Sequence, residues 1–182
     1  MSKIIPYVKD PETRQWSLPE TLMAGFFLRM QELKLSGTVF IGNSVINHLQ
    51  WLMFVQHPSN VVNIIGNENE IEGVTWLNAF GYNYAFGHFC FFPGTWGKNS
   101  VDLGKQVLSY WVNDLNSGDW GLDVIMGQVP AGNVRAVEFT KKLGMTSMGV
   151  VPGIKHTKSG EAEGSYFCYT TREDINGRQE RK

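Results

Sequence analysis

Cysteine, charge of one sign and long apolar runs are all scarce in this chain, and each scarcity removes a class of protein. There are two cysteines in 182 residues. Cys90 and Cys168 lie in separate expected strands without metal-type spacing and read as reduced, buried thiols of a cytosolic protein. Sixteen Lys and Arg face seventeen Asp and Glu, a net charge of −1. The two signs are mixed along the chain, so no basic patch points to nucleic acid or to an anionic membrane surface. No segment reaches the ~18 apolar residues of a membrane span, and Met1-Ser2-Lys3-Ile4-Ile5-Pro6 lacks the character of a signal peptide. His48 and His57 are nine apart with no adjacent carboxylate pair, which gives no zinc spacing and no expected metal. A G-x-S-x-G nucleophile elbow is missing. Gly97-Lys98-Asn99-Ser100 has the look of a P-loop end, but lacks the leading glycine and a Ser or Thr directly after Lys.

Aromatics, by contrast, are plentiful: 11 Phe, 6 Trp and 6 Tyr. Core packing accounts for most of them, since large rings dominate core energetics. Trp96, Trp111 and Trp120 discriminate between two other uses. An exposed patch of them would favour a protein partner, whereas a slot lined by them would favour a small ligand.

The length suits one domain, residues 1–182, with Arg172–Lys182 as a charged, frayed tail. Ile4–Val8 reads as a first strand. Ser17 and Glu20 form a capping-box pair that opens a helix with Leu18, Leu22, Phe26, Met30 and Leu33 at helical spacing, stopped by Gly37. A second helix over Ser44–Gln56 has Ile46, Leu49, Met53 and either Trp51 or Leu52 as its apolar side. Strands follow over Val61–Ile65, Val74–Phe80 and Tyr84–Phe92. Val101, Leu108, Trp111 and Leu115 mark a helix capped by Asn99 or Ser100. Leu122–Val129 is a buried strand, and Asn133–Leu143 a helix closed by Gly144 in the left-handed region. Met145–Val151 and Gly164–Thr171 complete the set, joined by a polar hairpin over Lys155–Glu163. The order β-α-α-β-β-β-α-β-α-β-β implies an α/β fold, a mixed sheet covered by helices on both faces.

That order, together with Asn133, Ala136, Phe139 and Leu143-Gly144-Met145, closely resembles the GNAT superfamily, the acetyl-coenzyme A-dependent N-acetyltransferases. In that family the helix after the fifth strand often opens with Asn, has a small residue three positions later and closes on Leu-Gly-Phe. The resemblance covers nearly the whole chain and implies splayed central strands, Tyr84–Phe92 and Leu122–Val129, with acetyl-coenzyme A lying across them. It places Asn133 near the pantetheine arm and has Ala136 admit the cofactor to the helix. Asn133 also serves as a helix cap on any reading. Gly97, Lys98, Asn99 and Ser100 would meet the pyrophosphate, where unpaired N–H groups converge at a helix start.

The phosphate loop departs from the family pattern of Arg or Gln, two residues, Gly, one residue, then Gly or Ala. Trp96, Asn99 and Val101 hold those places, and Asp102 adds a charge that a pyrophosphate would meet. By the same resemblance, a backbone N–H near Phe91 or Phe92 would polarise the thioester carbonyl. Thr140 stands where the family often has the Tyr that protonates the leaving thiolate. His88 is the one imidazole on its strand and the candidate general base, with a core role as the alternative. Tyr82, Asn83 and Tyr166 are further acceptor-site candidates. The implied activity is acetyl transfer to an amine acceptor in the cytoplasm. The second reading is a GNAT-fold binding or assembly protein without catalysis, somewhat like certain tailed-phage proteins. Pairing with a second copy or with another protein stays open.

Overall fold

The computed structural model describes residues 2–40, 45–67, 70–115, 122–156 and 162–179. Its strands are β1 Lys3–Tyr7, β2 Val61–Gly66, β3 Ile71–Asn78, β4 Tyr84–Phe91, β5 Val124–Pro130, β6 Thr146–His156 and β7 Ala162–Thr171. They hydrogen-bond in the order β1-β2-β3-β4-β5-β7-β6, a mixed sheet. The helices are α1 Glu20–Glu32, α2 Ser36–Val39, α3 His48–Val55, α4 Lys98–Ser109, α5 Val134–Lys142 and α6 Arg172–Gln179. The expected order is present, with α2 and α6 added. Two compact units divide the chain: Met1–Asn78 with Phe89–Thr95, and Ala79–His88 with Trp96–Lys182.

In the first unit, antiparallel pairing sets Val62 against Trp76 and Ile64 against Val74 on one sheet face. Met23, Phe26, Phe27 and Met30 of α1 and Trp51 and Val55 of α3 share one core with them. Leu22 and Leu33, expected inside, are exposed. Ser17 does not cap the first helix. Its Oγ donates to the Pro6 carbonyl and accepts from the Val8 N–H, at 2.8 and 3.1 Å, so it ties down the end of β1. Pro19 takes the cap position instead, with no side-chain hydrogen bond.

The start expected for the second helix, Ser44, lies outside the described residues. Asn47 caps α3, its Oδ1 accepting from the Gln50 N–H at 2.9 Å. The expected apolar side is turned outward: Ile46, Leu49 and Met53 are 54%, 61% and 73% exposed. A short helix presents one face, and Trp51 claims it. Burying an indole removes more apolar surface than burying a Leu, provided the N–H finds an acceptor. Here the Trp51 Nε1–H donates to the Met23 carbonyl at 2.7 Å. Its ring also contacts those of Phe27, Phe40, Phe54 and Trp76.

The second unit holds the parallel pair β4–β5 and the antiparallel pairs β5–β7 and β6–β7. Gly104 of α4 lies against α5; a Cβ there would sit 2.7 Å from Leu143 and 2.9 Å from Phe139. Past Ser109 the helix widens into a π turn, Tyr110–Asp114, and both Trp111 and Val112 become fully buried. That widening lets two neighbouring side chains face inward. Trp111 is buried while Trp96 is half exposed, so these two share no exposed patch; Trp120 lies outside the described residues. Strand β6 extends past its expected end to His156, and the hairpin tip at 157–161 lies outside the described residues.

The tail from Arg172 is not frayed over its first eight residues. Thr171 and Asp174 form a reciprocal cap: the Thr171 Oγ1 accepts from the Asp174 N–H at 3.0 Å, and the Asp174 Oδ2 accepts from the Thr171 N–H at 3.3 Å. Ile175 is buried, and Arg172 donates to the Leu122 carbonyl at 3.1 Å. A Thr-x-x-Asp start and an inward Ile, with the Asn113 Nδ2 donating to the Asn176 Oδ1 at 3.0 Å, hold this helix in place.

Candidate functional site

Two strands run parallel and then part. Tyr84 pairs with Val124, Ala85 with Ile125 and Phe86 with Met126, and no further β4–β5 pair follows among the described residues. Strand β5 nevertheless stays paired to β7 as far as Pro130. The β4-side edge of Gly127–Val129 therefore carries no ladder among the described residues, whereas the Pro130 carbonyl is engaged in the turn into α5. Backbone groups without a ladder need another partner. In sheets with parallel strands, ligands gather beyond the carboxyl ends, and α4 and α5 begin after the carboxyl ends of β4 and β5.

The start of α4 is built on Gly97, with φ 94° and ψ −136°. That region is open almost only to glycine. An added Cβ would meet nothing within 4 Å, so the glycine is required by its dihedrals and not by crowding. The Ser100 Oγ donates to the Gly97 carbonyl at 2.8 Å and locks the turn. No side chain caps the helix. The expected cap at Asn99 or Ser100 is therefore replaced by a bare glycine, because both residues already lie within the first turn. Val101 is in the helix as well, half-buried, and Asp102 is an exposed residue of its second turn. Asp102 thus stands one turn beyond the helix start and not in the turn that Gly97 makes.

The start of α5 follows β5 through a tight turn, with the Asn133 N–H donating to the Pro130 carbonyl at 2.9 Å. Asn133 is the cap, its Oδ1 accepting from the Ala136 N–H at 3.2 Å. Gly144, at φ 81°, ends the helix as its sequence position implies. Neither α4 nor α5 has an acidic residue in its first turn. Each has a cation there, Lys98 and Arg135, both exposed. A cation is unfavourable at the positive end of a helix unless an anion joins it. Arg135 was missed by sequence reasoning; its place two residues after the capping Asn was the available signal.

The remaining candidates divide. Thr140 is buried and its hydroxyl donates to the Val137 carbonyl at 2.8 Å. Burial pushes the Cys168 thiol above its usual range, and a hydrogen bond with Thr140 opposes that rise. Thr140 is thus a core residue inside the helix, which removes it as the acid for a leaving thiolate. His88 sits half-buried on β4, two residues past the last β4–β5 pair. Phe91 and Phe92 belong to the first unit. The Phe92 N–H donates to the Glu72 carbonyl at 2.8 Å, which removes it as the polarising donor. Its ring instead lies under the Arg29 guanidinium at 4.4 Å. Among the described residues, no group of three His, Cys, Asp or Glu is placed to hold a metal ion, and no helix is long and apolar enough to cross a membrane.

No protein-family model and no curated protein matches the chain by sequence. Solved structures do match. The spermidine N-acetyltransferase of Vibrio cholerae, solved with CoA and spermine, aligns over 96% of this chain and 98% of its own, with a TM-score of 0.73 and 13% identity. A mutant form of the same enzyme gives 0.71 at 13% identity over 98% of each chain. A structure described as a putative acetyltransferase gives 0.69 at 15% identity, covering 92% of this chain and 94% of its own. The likeness to tailed-phage proteins finds no support in these matches. At such identities the likeness is one of fold, and it agrees with the order of elements, the parting strands and the capped α5: this chain is a divergent protein of the GNAT acetyltransferase fold.

Proposed function

We propose that this protein is an N-acyltransferase that moves an acetyl group from acetyl-coenzyme A to an amine. One observation supports the reading above the others. In the second unit two helices, α4 and α5, each start without an acid and with a cation in the first turn. Such starts suit the pyrophosphate of a coenzyme, with N–H groups of the first α4 turn and the Lys98 ammonium as donors. The Asn133 Oδ1 is occupied by its cap, so the side-chain amide N–H groups are what it offers to an arm lying along β5. Ala136, half-buried one turn on, keeps that side of α5 low.

Acetyl-coenzyme A would supply the activated thioester. The amine nitrogen attacks the thioester carbon, C–N forms as C–S breaks, and the proton lost by the amine ends on the departing sulfur. Positioning supplies much of the rate in such a transfer. His88 is the candidate base on β4, a strand that carries no carboxylate. With Thr140 removed, the proton reaches the sulfur from solvent or from the acceptor itself.

The second reading, a binding module that has lost catalysis, is favoured by the buried Thr140 and by the bare, unpatterned α4 start. A thermal melt with acetyl-coenzyme A separates them. Ligand at ~100 times its dissociation constant adds ~2.7 kcal/mol, a shift of several degrees at this size. An unmoved melt at millimolar coenzyme would leave the binding-module reading.

A further inference from the structure

The two faces of the second unit's sheet carry different chemistry. Glycines show which face takes the helices and the buried core. A Cβ at Gly87 would press on Trp111 and Ile125, and one at Gly127 on Cys168 and Met145. Side chains alternate along a strand. The opposite face therefore receives Phe86 and His88 from β4, Met126 and Gln128 from β5, and Phe167 and Tyr169 from β7. The register agrees, setting Phe86 beside Met126, Met126 beside Tyr169, and Gln128 beside Phe167. All six are half-buried.

This face begins at the last β4–β5 pair, where the strands part. It is aromatic and apolar, with an imidazole, an amide and a phenol as its polar groups. The amide is engaged, the Gln128 Nε2 donating to the Ser165 Oγ at 3.2 Å. Beyond Phe167 the register reaches Gly149 of β6, which adds no side chain beside it. Among the described residues of these strands, alternation places one carboxylate on the same side. It is Glu163, at the far end of β7, and its Oε1 accepts from the Gly132 N–H at 3.2 Å.

We infer that the acceptor is a monoamine with an apolar or aromatic body, and not a polyamine. The inference rests on the transferase reading above. A polyamine brings two or more ammonium groups, and each charge taken from water without a carboxylate opposite it is costly. Glu163 offers a single carboxylate, at the far end of the face, with its Oε1 already accepting from the Gly132 N–H. A phenyl or alkyl body instead gains from burial against Phe86, Met126 and Phe167.

The test compares initial rates of CoA thiol release, at saturating acetyl-coenzyme A, with 2-phenylethylamine and with spermidine. The expected kcat/KM is at least about tenfold higher for 2-phenylethylamine. A spermidine preference would overturn the inference and leave the transferase reading intact. Coenzyme binding seen by calorimetry, with neither amine used, would also overturn the inference alone. No coenzyme binding would overturn both. Gln128→Glu, nearly isosteric, adds the missing carboxylate to the face. In the folded variant the rate ratio should move about tenfold toward spermidine, and an unmoved ratio would contradict the placement of the acceptor here.

Discussion

The starts of α4 and α5 lie one after each of two parallel strands, yet they solve the same electrostatic problem in opposite ways. At α5, Asn133 satisfies an N–H from within the chain, and the turn before it is closed by a backbone hydrogen bond. At α4 no side chain caps the helix, and a glycine in a conformation reserved for glycine turns the chain into it. A capped start is stable by itself, whereas an uncapped one leaves N–H groups for water or an anion. The difference separates the two signals in the sequence. The pattern that agrees with the family sits where structure alone needs it. The region that departs from the family pattern is the one where no side chain caps the helix.

The largest expected effect comes from forcing the two helices apart. Gly104→Val should cost about 3 kcal/mol in urea unfolding, since Leu143 and Phe139 stand within 3 Å of the first added carbon and Leu143 is fully buried. Gly97→Ala should cost about 2 kcal/mol through its positive φ and should lower coenzyme affinity as well. A stable variant with unchanged affinity would show that the α4 start can rearrange and is not the site.

Asn133→Ala should lose about 1 kcal/mol of stability as the cap goes. Asn133→Asp sharpens the point: it keeps the capping oxygen, so stability should hold, while the lost amide donors and the added charge should weaken coenzyme binding in calorimetry. Val101→Gly should reduce stability by about 0.5–1 kcal/mol without improving affinity, because Val101 lies within the helix. A gain in affinity would show that the Val101 side chain obstructs the coenzyme.

The last effect is silent at neutral pH. Burial pushes the Cys90 thiol from 9.0 up to about 12. With the folded value raised, its contribution is complete below about pH 9 and is lost as pH climbs toward about 12. Urea midpoints should fall above about pH 9, and Cys90→Ala should flatten that fall.

Helix α5 was legible because both its ends are written locally, an Asn cap and a glycine in the left-handed region. The order of the strands was legible for the same reason, through β-branched and aromatic runs bounded by turn residues. What failed depended on distant partners. Ser17 offers a plausible cap in sequence, but its hydroxyl is taken by Pro6 and Val8 across the chain. Ile46, Leu49 and Met53 are spaced as a buried stripe, yet Trp51 occupies the inward face because Met23 supplies an acceptor for its indole. The C-terminal helix was missed although Thr171 and Asp174 carry a readable cap; charge content suggested fraying, and Ile175 outweighed it. In the site, Thr140 and Phe92 were candidates by position alone. Only the structure shows their hydrogen bonds committed elsewhere.

The most direct test is a pair of calorimetric titrations of the wild-type protein, with acetyl-coenzyme A and with S-acetylpantetheine, which lacks the pyrophosphate. If the helix starts hold that pyrophosphate, acetyl-coenzyme A should bind saturably in the micromolar range and S-acetylpantetheine at least about 100-fold more weakly. Equal affinities, or no heat with acetyl-coenzyme A at millimolar concentration, would contradict the account.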